Sequence, residues 1–197
     1  YRKKLTETQS MRNQTIMVIL NTLNEKNERE KIHSEKVSLI AKKIGEAMNL
    51  DYESIKEIEI AGLMHDIGKI SVDQRILNKV GILTETEYND IKKHTEIGYQ
   101  ILKSVDEYSS LAEYVLCHHE RWDGTGYPRG LKGQDIPLIS RIITLADAYE
   151  AMVSERNYKI KKTREEALIE LEENSDKHFD YTLVKIFKEK VYPSLEI

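Results

Sequence analysis

The sequence is poor in cysteine and proline, with one cysteine and three prolines among 197 residues. Because Cys117 has no second thiol to pair with, an internal disulfide is excluded, and the composition fits a reducing compartment. No apolar run approaches the roughly 20 residues that a membrane-spanning helix needs, and no signal peptide is visible. We therefore expect a cytoplasmic chain in which Cys117 is a small buried residue. Since the first residue is Tyr1 rather than methionine, we also expect an upstream region, which could attach the full-length protein to a membrane.

The sequence also lacks an excess of positive charge, and its formal net charge is −4. No general electrostatic attraction to nucleic acid or to an anionic membrane follows from this balance, so we expect no nucleic-acid polymer as a partner. A site for phosphates would have to be locally positive, through metal ions or a few placed cations. The hydrophobic fraction of 40% is enough for the core of one good-sized domain.

Strand patterns of useful length are absent from the sequence, whereas apolar residues recur at helical spacing. We predict an all-α fold with helices at residues 33–48, 52–67, 85–103, 109–119 and 138–154, and two more that begin at Thr163 and near Asp180. The pairs Thr84/Glu87 and Thr163/Glu166 are typical of capping boxes at helix starts. The segment 120–137 holds four of the nine glycines and two of the three prolines. It is predicted to be a long ordered loop, and such loops are usually functional.

The pair His65 and Asp66 follows a helix with an apolar face. Gly68 is predicted to end this helix in the left-handed conformation. An imidazole beside a carboxylate suits a divalent cation, because the carboxylate can bridge two ions. Lys69 adds a positive charge one turn away, which suits a phosphate. Alone, the dipeptide would be read as a surface pair.

Further candidate ligands lie on the apolar faces or at the ends of other helices. They are His33, His94, His118, His119 and Asp147. A lone histidine on such a face is more often a hydrogen-bonded core residue than a ligand. Five of the six histidines and two aspartates in this arrangement make that interpretation improbable, because burying them unpaired would be costly. The pattern therefore predicts a metal site.

The order of these motifs resembles the HD-GYP branch of the HD-domain metal phosphohydrolases. It runs from His33 through HDIGK at 65–69, His94 and HHERWDGTGYP at 118–128 to Ala-Asp at 146–147. The resemblance covers about residues 27–191. It implies an all-helical HD-domain bundle at residues 31–197, with a helical extension at 1–30 and the GYP loop. It also implies a phosphodiesterase that hydrolyses the bacterial second messenger cyclic di-GMP, or a related cyclic dinucleotide, to linear pGpG or GMP.

The resemblance further implies a cluster of iron or manganese ions, and two metals are the usual solution for attack on a phosphodiester. We assign one ion to His33, His65, Asp66 and Asp147, and the other to Asp66, His94, His118 and His119. A hydroxide held between the ions would be the nucleophile, with Asp66 as bridge. Lys69 would stabilise the phosphate charge or protonate the leaving oxygen. Some members of the branch carry a glutamate for a third metal four residues before the first histidine, where this chain has Arg29.

Substrate contacts are expected from Lys69, and from Glu150, Arg156 and Lys159, although the two later cations could equally be solvated. The loop residues expected to shape the pocket or contact a diguanylate cyclase (GGDEF) domain are Asp123, Gly124, Gly126, Tyr127 and Pro128. Apolar residues within 16–23 predict a connector helix, which could carry a signal from an upstream sensor domain or form a homodimer.

Two other functions remain open. The chain could be a module that binds a cyclic dinucleotide or a GGDEF partner without turnover, although an intact ligand set disfavours this. It could also be a general HD phosphohydrolase acting on mononucleotides, which the HHERWDGTGYP string disfavours.

Overall fold

The computed structural model describes residue 18 and residues 28–154 and 161–195, and these residues form an all-α fold. The only β-type pairing among them is an isolated bridge between Ser175 and Phe179. The helices are α1 (Glu28–Ala47), α2 (Tyr52–Met64), α3 (Gln74–Leu77), α4 (Glu85–Lys92), α5 (His94–Lys103), α6 (Ser109–Leu116), α7 (Leu138–Val153), α8 (Arg164–Glu173) and α9 (Tyr181–Ile186). The predicted all-α class is confirmed. The apolar residues at 16–23, apart from residue 18, lie outside the described residues.

The core forms where α1 packs against α2 and α7. Helix α1 buries Val37, Ile40, Ala41 and Ile44 completely. Gly62 of α2 lets the two helices approach closely, because a Cβ there would lie 2.8 Å from the Cα of Ser38. This close packing places the first turns of α1 beside the end of α2.

Three helix predictions were wrong in their bounds. The helix predicted for 85–103 is interrupted at Lys93, which separates α4 from α5. The ring of His94 and the hydroxyl of Thr95 bond to the carbonyls of Ile91 and Lys92, and such side-chain bonds compete with the helix and bend it. The helices predicted for 52–67 and 109–119 end earlier, at Met64 and Leu116.

The predicted left-handed conformation at Gly68 was also wrong, since Gly68 is not among the residues with positive φ. It lies instead in a 3₁₀ turn, Ile67–Ser71, packed against α5. A Cβ at Gly68 would lie 1.8 Å from the carbonyl oxygen of His94. Glycine is needed here because two backbones approach each other closely.

Both predicted capping boxes are present, at Thr84 with Glu87 and at Thr163 with Glu166. The last predicted helix begins as expected, because Asp180 caps α9 by accepting a hydrogen bond from the amide of Thr182. A π-helical turn, Phe187–Val191, and a 3₁₀ turn, Tyr192–Ser194, follow it. Among the described residues, no helix combines the length and apolar character needed to cross a bilayer.

The predicted loop at 120–137 is held by hydrogen bonds within itself and to the segment before α9. The buried carboxylate of Glu120 accepts hydrogen bonds from the amides of Arg129 and Leu131, at 2.7 and 3.0 Å. The amides of Trp122 and Asp123 donate to the carbonyls of His178 and Lys177. The loop is therefore ordered by hydrogen bonds from its first residues to its middle and to residues 177–178.

Candidate metal centre

Seven predicted ligands converge from five helices and the turns that follow them. His33 lies on α1, His94 begins α5 and Asp147 lies on α7, while the remaining four directly follow α2 or α6: His65, Asp66, His118 and His119. The structure brings all seven into one neighbourhood.

Two groups of side chains could each hold a divalent ion. Ligand atoms of Asp66, His94, His118 and His119 all lie within 4.8 Å of one another, and so do those of His33, His65 and Asp66. Asp66 belongs to both groups. The Oδ1 atom of Asp147 lies 3.2 Å from the Nε2 atom of His33, which places this carboxylate beside the second group.

Three of the histidine rings are oriented by backbone carbonyls. The Nδ1 atoms of His65, His94 and His118 lie 2.8, 2.7 and 2.6 Å from carbonyl oxygens three residues earlier in the chain. A carbonyl can only accept, so each Nδ1 carries the hydrogen and each Nε2 presents a lone pair to the cluster. Metal-binding histidines are commonly held in this way.

Several of these lone pairs face other acceptors. The Nε2 atoms of His94 and His118 are 3.4 Å apart, and the Nε2 of His94 lies 3.3 Å from Oδ1 of Asp66. The buried Nε2 of His65 makes no hydrogen bond, although Oδ2 of Asp66 is 3.2 Å away. Acceptors this close repel unless a positive charge lies between them. The donor set therefore fits divalent cations.

The protonation of the first group suits metal binding. Burial lowers the pKa of His94, takes the pKa of His118 well below its ordinary value, and lowers the pKa of His119 to about 3. These rings are therefore neutral, as metal ligands must be. Burial alone would raise the pKa of Asp66, but the positive charge of Lys69 holds that pKa well below its usual range.

Glu150, predicted from the sequence as a substrate contact, lies against the ring of His33 on the side of its Nδ1 atom. Its Oε2 lies 2.5 Å from Nδ1 of His33, and its other oxygen accepts a hydrogen bond from Ser154. The side chain is only 2% exposed. Burial lowers the pKa of His33, but hydrogen bonds to Asp147 and Glu150 outweigh it and raise this pKa to about 10.

Lys69 lies at the edge of the cluster between two carboxylates. Its Nζ is 2.6 Å from Oδ2 of Asp66 and 2.9 Å from Oε2 of Glu30. Burial opposes the charge of Lys69, but Asp66 and Glu30 raise its pKa above the ordinary value. Sequence reasoning missed Glu30, whose only signal was its position one turn before His33.

The loop reaches this cluster through Tyr127. The ring of Tyr127 stacks on His119, with centroids 4.9 Å apart. Gly126 lies against the backbone of the loop's start, since a Cβ there would be 2.3 Å from the amide of Arg121. Gly124 has a positive φ of 85° and precedes the Tyr127–Pro128 peptide, which is cis. Among these loop residues, Tyr127 therefore makes the contact with a proposed ligand.

The carboxylate of Asp123 accepts hydrogen bonds from the amide and hydroxyl of Thr125. Cys117 is buried, as predicted, and burial raises its pKa to about 12, so it offers no thiolate. Arg156 and Lys159 lie outside the described residues.

The comparisons with known proteins agree with this geometry. The family model described as HD domain matches residues 17–183. A cyclic di-GMP phosphodiesterase of Thermotoga maritima is 45% identical over 175 residues, which are 87% of this chain and 48% of that protein. The 3'3'-cGAMP-specific phosphodiesterase 1 of Vibrio cholerae is 38% identical over 143 residues, 73% of this chain and 33% of that protein. The chain thus spans half or less of the length of these relatives.

Solved structures show the same fold at low sequence identity. Bd1817 of Bdellovibrio bacteriovorus, described as an HDG"Y"P protein, has a TM-score of 0.67 at 16% identity, with 83% of this chain and 52% of that chain covered. The PgpH HD domain of L. monocytogenes, solved with cyclic-di-AMP, has a TM-score of 0.62 at 17% identity, with 89% and 95% covered. Together with the matched family model, these relatives place the chain in the HD-domain family, in its HD-GYP branch.

Proposed function

We propose that this chain is a metal-dependent phosphodiesterase that hydrolyses cyclic di-GMP, or a related cyclic dinucleotide, to the linear dinucleotide or to GMP. The observation that carries the proposal is the pair of ligand groups that share Asp66. Two sites joined by one carboxylate are the arrangement used for in-line attack on phosphodiesters. The relatives named above support the substrate class, because their names specify cyclic di-GMP or cGAMP.

The proposed ligands are those given by the sequence: His33, His65, Asp66 and Asp147 for one ion, and Asp66, His94, His118 and His119 for the other. Bound divalent ions would activate water and neutralise the charge that develops on the phosphate. Imidazole and carboxylate donors without thiolate favour iron or manganese. With Arg29 four residues before His33, and Glu30 paired with Lys69, we propose two ions per chain.

The chain's own residues orient this chemistry. Asp66 belongs to both ligand groups and so fixes their relative position, and Glu150 fixes the ring of His33. Lys69 supplies positive charge to the phosphate. Because its carboxylate neighbours raise the pKa of Lys69, it holds its proton firmly, which favours charge stabilisation over proton donation to the leaving oxygen. Arg156 and Lys159 remain proposed substrate contacts, since a guanidinium fork can grip a phosphate or a guanine edge.

The decisive assay incubates anaerobically purified protein, loaded with ferrous or manganous ion, with cyclic di-GMP, cyclic GMP-AMP and mononucleotides. We expect linear dinucleotide or GMP by chromatography, and none from the D66N variant. The D90N variant is the matched control, because Asp90 is an exposed aspartate paired with Lys93. Binding without products would favour a non-hydrolytic module, and products only from mononucleotides would favour a general phosphohydrolase.

Elemental analysis of the loaded protein tests the metal count. We expect two tightly held ions per chain in the native sequence, and a lower content in D66N because that carboxylate serves both groups. Three ions per chain would overturn the two-metal proposal.

Two interaction proposals also remain. The 120–137 loop is proposed to contact GGDEF domains, and unchanged cyclase binding by the Y127A variant would contradict this. Residues 1–30 are proposed as a helical connector from an upstream sensor domain and as a dimer contact. Removal of residues 1–22 should then lower both dimer content and activity.

A further inference from the structure

Next to the candidate centre, one lysine lies over two tyrosine rings. The Nζ atom of Lys92, in the last turn of α4, is 5.0 Å from the ring centroid of Tyr88 and 5.8 Å from that of Tyr127. Tyr127 in turn stacks on His119. We call Tyr88, Lys92 and Tyr127 the Lys92 cluster. The ammonium group of Lys92 is thus separated from the proposed metal ligand His119 by the ring of Tyr127.

Lys92 differs from the lysines around it in its ion pairing. Lys79 pairs with Glu87 at 2.6 Å, and Lys93 pairs with Asp90 at 2.7 Å. In the part of the chain that the structure describes, no carboxylate lies within ion-pair distance of Lys92. Its ammonium group therefore keeps its full attraction for an external anion.

The two rings also restrict where this ammonium group can go. Cation–π contacts within about 6 Å of a ring centroid are attractive, so they reduce the freedom that a long lysine side chain would lose on binding a ligand. Tyr88 is 48% exposed, which leaves the cluster open to solvent on one side. An anion can therefore approach the ammonium group from that side.

The proposed substrate class supplies such an anion. A cyclic dinucleotide carries two phosphodiesters on opposite sides of one macrocycle, and only one of them can be attacked at a time. When one phosphodiester lies at the metal centre, the other lies across the ring and needs a partner of its own. A lysine ammonium is a point charge suited to a phosphate.

We propose that Lys92 binds the second, uncleaved phosphate of the cyclic dinucleotide, with Tyr88 and Tyr127 holding its side chain in place. This inference rests on the proposed function. It assigns Lys92 a role in substrate affinity, and it predicts that the enzyme favours substrates with two phosphates over those with one.

The first test compares K92A with K93A, which removes the same charge from the neighbouring, ion-paired position. We expect K92A to raise KM for the cyclic dinucleotide on the order of tenfold, the usual value of one charge-assisted hydrogen bond, with kcat changed less. K92R should restore KM, and K93A should match the native protein. An equal KM for K92A and K93A would overturn the inference.

A second measurement asks whether the contact is to phosphate. The ratio of kcat/KM for the cyclic dinucleotide to that for bis(p-nitrophenyl) phosphate, which has a single phosphate, should fall on the order of tenfold in K92A. The loss of affinity should be similar for guanine and adenine cyclic dinucleotides, with Ki measured where turnover is slow. A loss confined to guanine-containing ligands would overturn the phosphate assignment in favour of a base contact.

A third measurement does not depend on turnover. Calorimetric binding of a phosphorothioate cyclic dinucleotide should be weaker in K92A and native-like in K93A, with metal content unchanged in both. Added salt should weaken binding less in K92A than in the native protein, because one screened contact is missing. If the native protein hydrolyses no cyclic dinucleotide, the proposed function fails. If it does so and K92A binds normally, only the present inference fails.

Discussion

At the scale of single residues, the candidate centre includes side chains that support the proposed ligands without being ligands themselves. Glu150 reaches His33 from α7 and is itself bonded by Ser154. It lies three residues after Asp147, so one helix supplies both a proposed ligand and the group that orients another. Such supporting carboxylates fix the ring of a histidine and raise its basicity.

Replacement of Glu150 by glutamine should therefore weaken metal binding while the fold persists. We expect a loss of metal affinity of roughly 10- to 100-fold, which is typical when a residue that hydrogen-bonds a metal ligand is replaced. Metal titration with a competing chelator measures this. The E59Q variant is the control, since Glu59 pairs with Lys42 at the surface. Equal affinities in E150Q and E59Q would contradict the assigned role.

His178 accepts a hydrogen bond from the amide of Trp122 in the 120–137 loop through its backbone carbonyl. Its side chain should make folding stability depend on pH. Burial, followed by the charge of Arg121, lowers the pKa of His178 from 6.5 to about 4. The unfolded chain therefore takes up a proton between these two values that the folded chain does not. The contribution of His178 to stability is complete above pH 6.5 and is lost as the pH falls through this window.

The H178Q variant removes this titration. Denaturant unfolding between about pH 7 and pH 4 should show a shallower loss of stability in H178Q than in the native protein, by up to about 1.4 kcal/mol per pH unit. Parallel stability curves for the two proteins would show that His178 is not responsible.

At the scale of elements, the packing of the 3₁₀ turn Ile67–Ser71 against α5 brings two proposed ligand groups together. Asp66 precedes that turn, and His94 begins α5. Gly68 fits the contact because it has no Cβ, and its neighbour across the contact is Gly98.

An alanine at Gly68 should therefore destabilise the protein by about 3 kcal/mol or more, because a backbone atom cannot move aside as a side chain can. It should also weaken metal binding by displacing His94. Thermal and denaturant unfolding measure the first effect, and metal titration the second. G98A is the comparison, since its Cβ would meet a methyl group of Val115 at 3.0 Å. If G98A were as harmful as G68A, the backbone explanation would fail.

At the scale of the whole molecule, the candidate centre joins segments that are far apart in the chain. The ligands run from His33 to Asp147 and come from helices on both sides of the core. Ions bound only by the folded chain stabilise it through mass action. The cluster should therefore act as a link between α1, α2, α5, α6 and α7.

Addition of manganous ion at about 100 times its Kd should stabilise the fold by roughly 2.7 kcal/mol per site, which corresponds to a rise in Tm of about 5–10 °C. A chelator should reverse the rise. The D66N variant should show little response, whereas D90N should respond like the native protein. A metal-dependent rise in D66N would place the ions elsewhere.

Much of the local structure and chemistry could be predicted without coordinates. Apolar spacing predicted the helices, and the capping boxes at Thr84 and Thr163 marked two of the starts. The grouping of histidines and aspartates predicted a metal site because buried polar groups need partners. These features depend on residues close in sequence or on the cost of burying a given side chain, so residue order alone reveals them.

The tertiary structure decided what depends on contacts between distant segments. It placed Glu150 against His33, required glycine at position 68 for a close approach rather than for a left-handed turn, and paired Glu30 with Lys69. It also brought Lys92 beside Tyr127. The sequence determined which groups are available for chemistry, and only packing determined which of them meet. The reason is that a contact between remote residues produces no periodic pattern in the sequence.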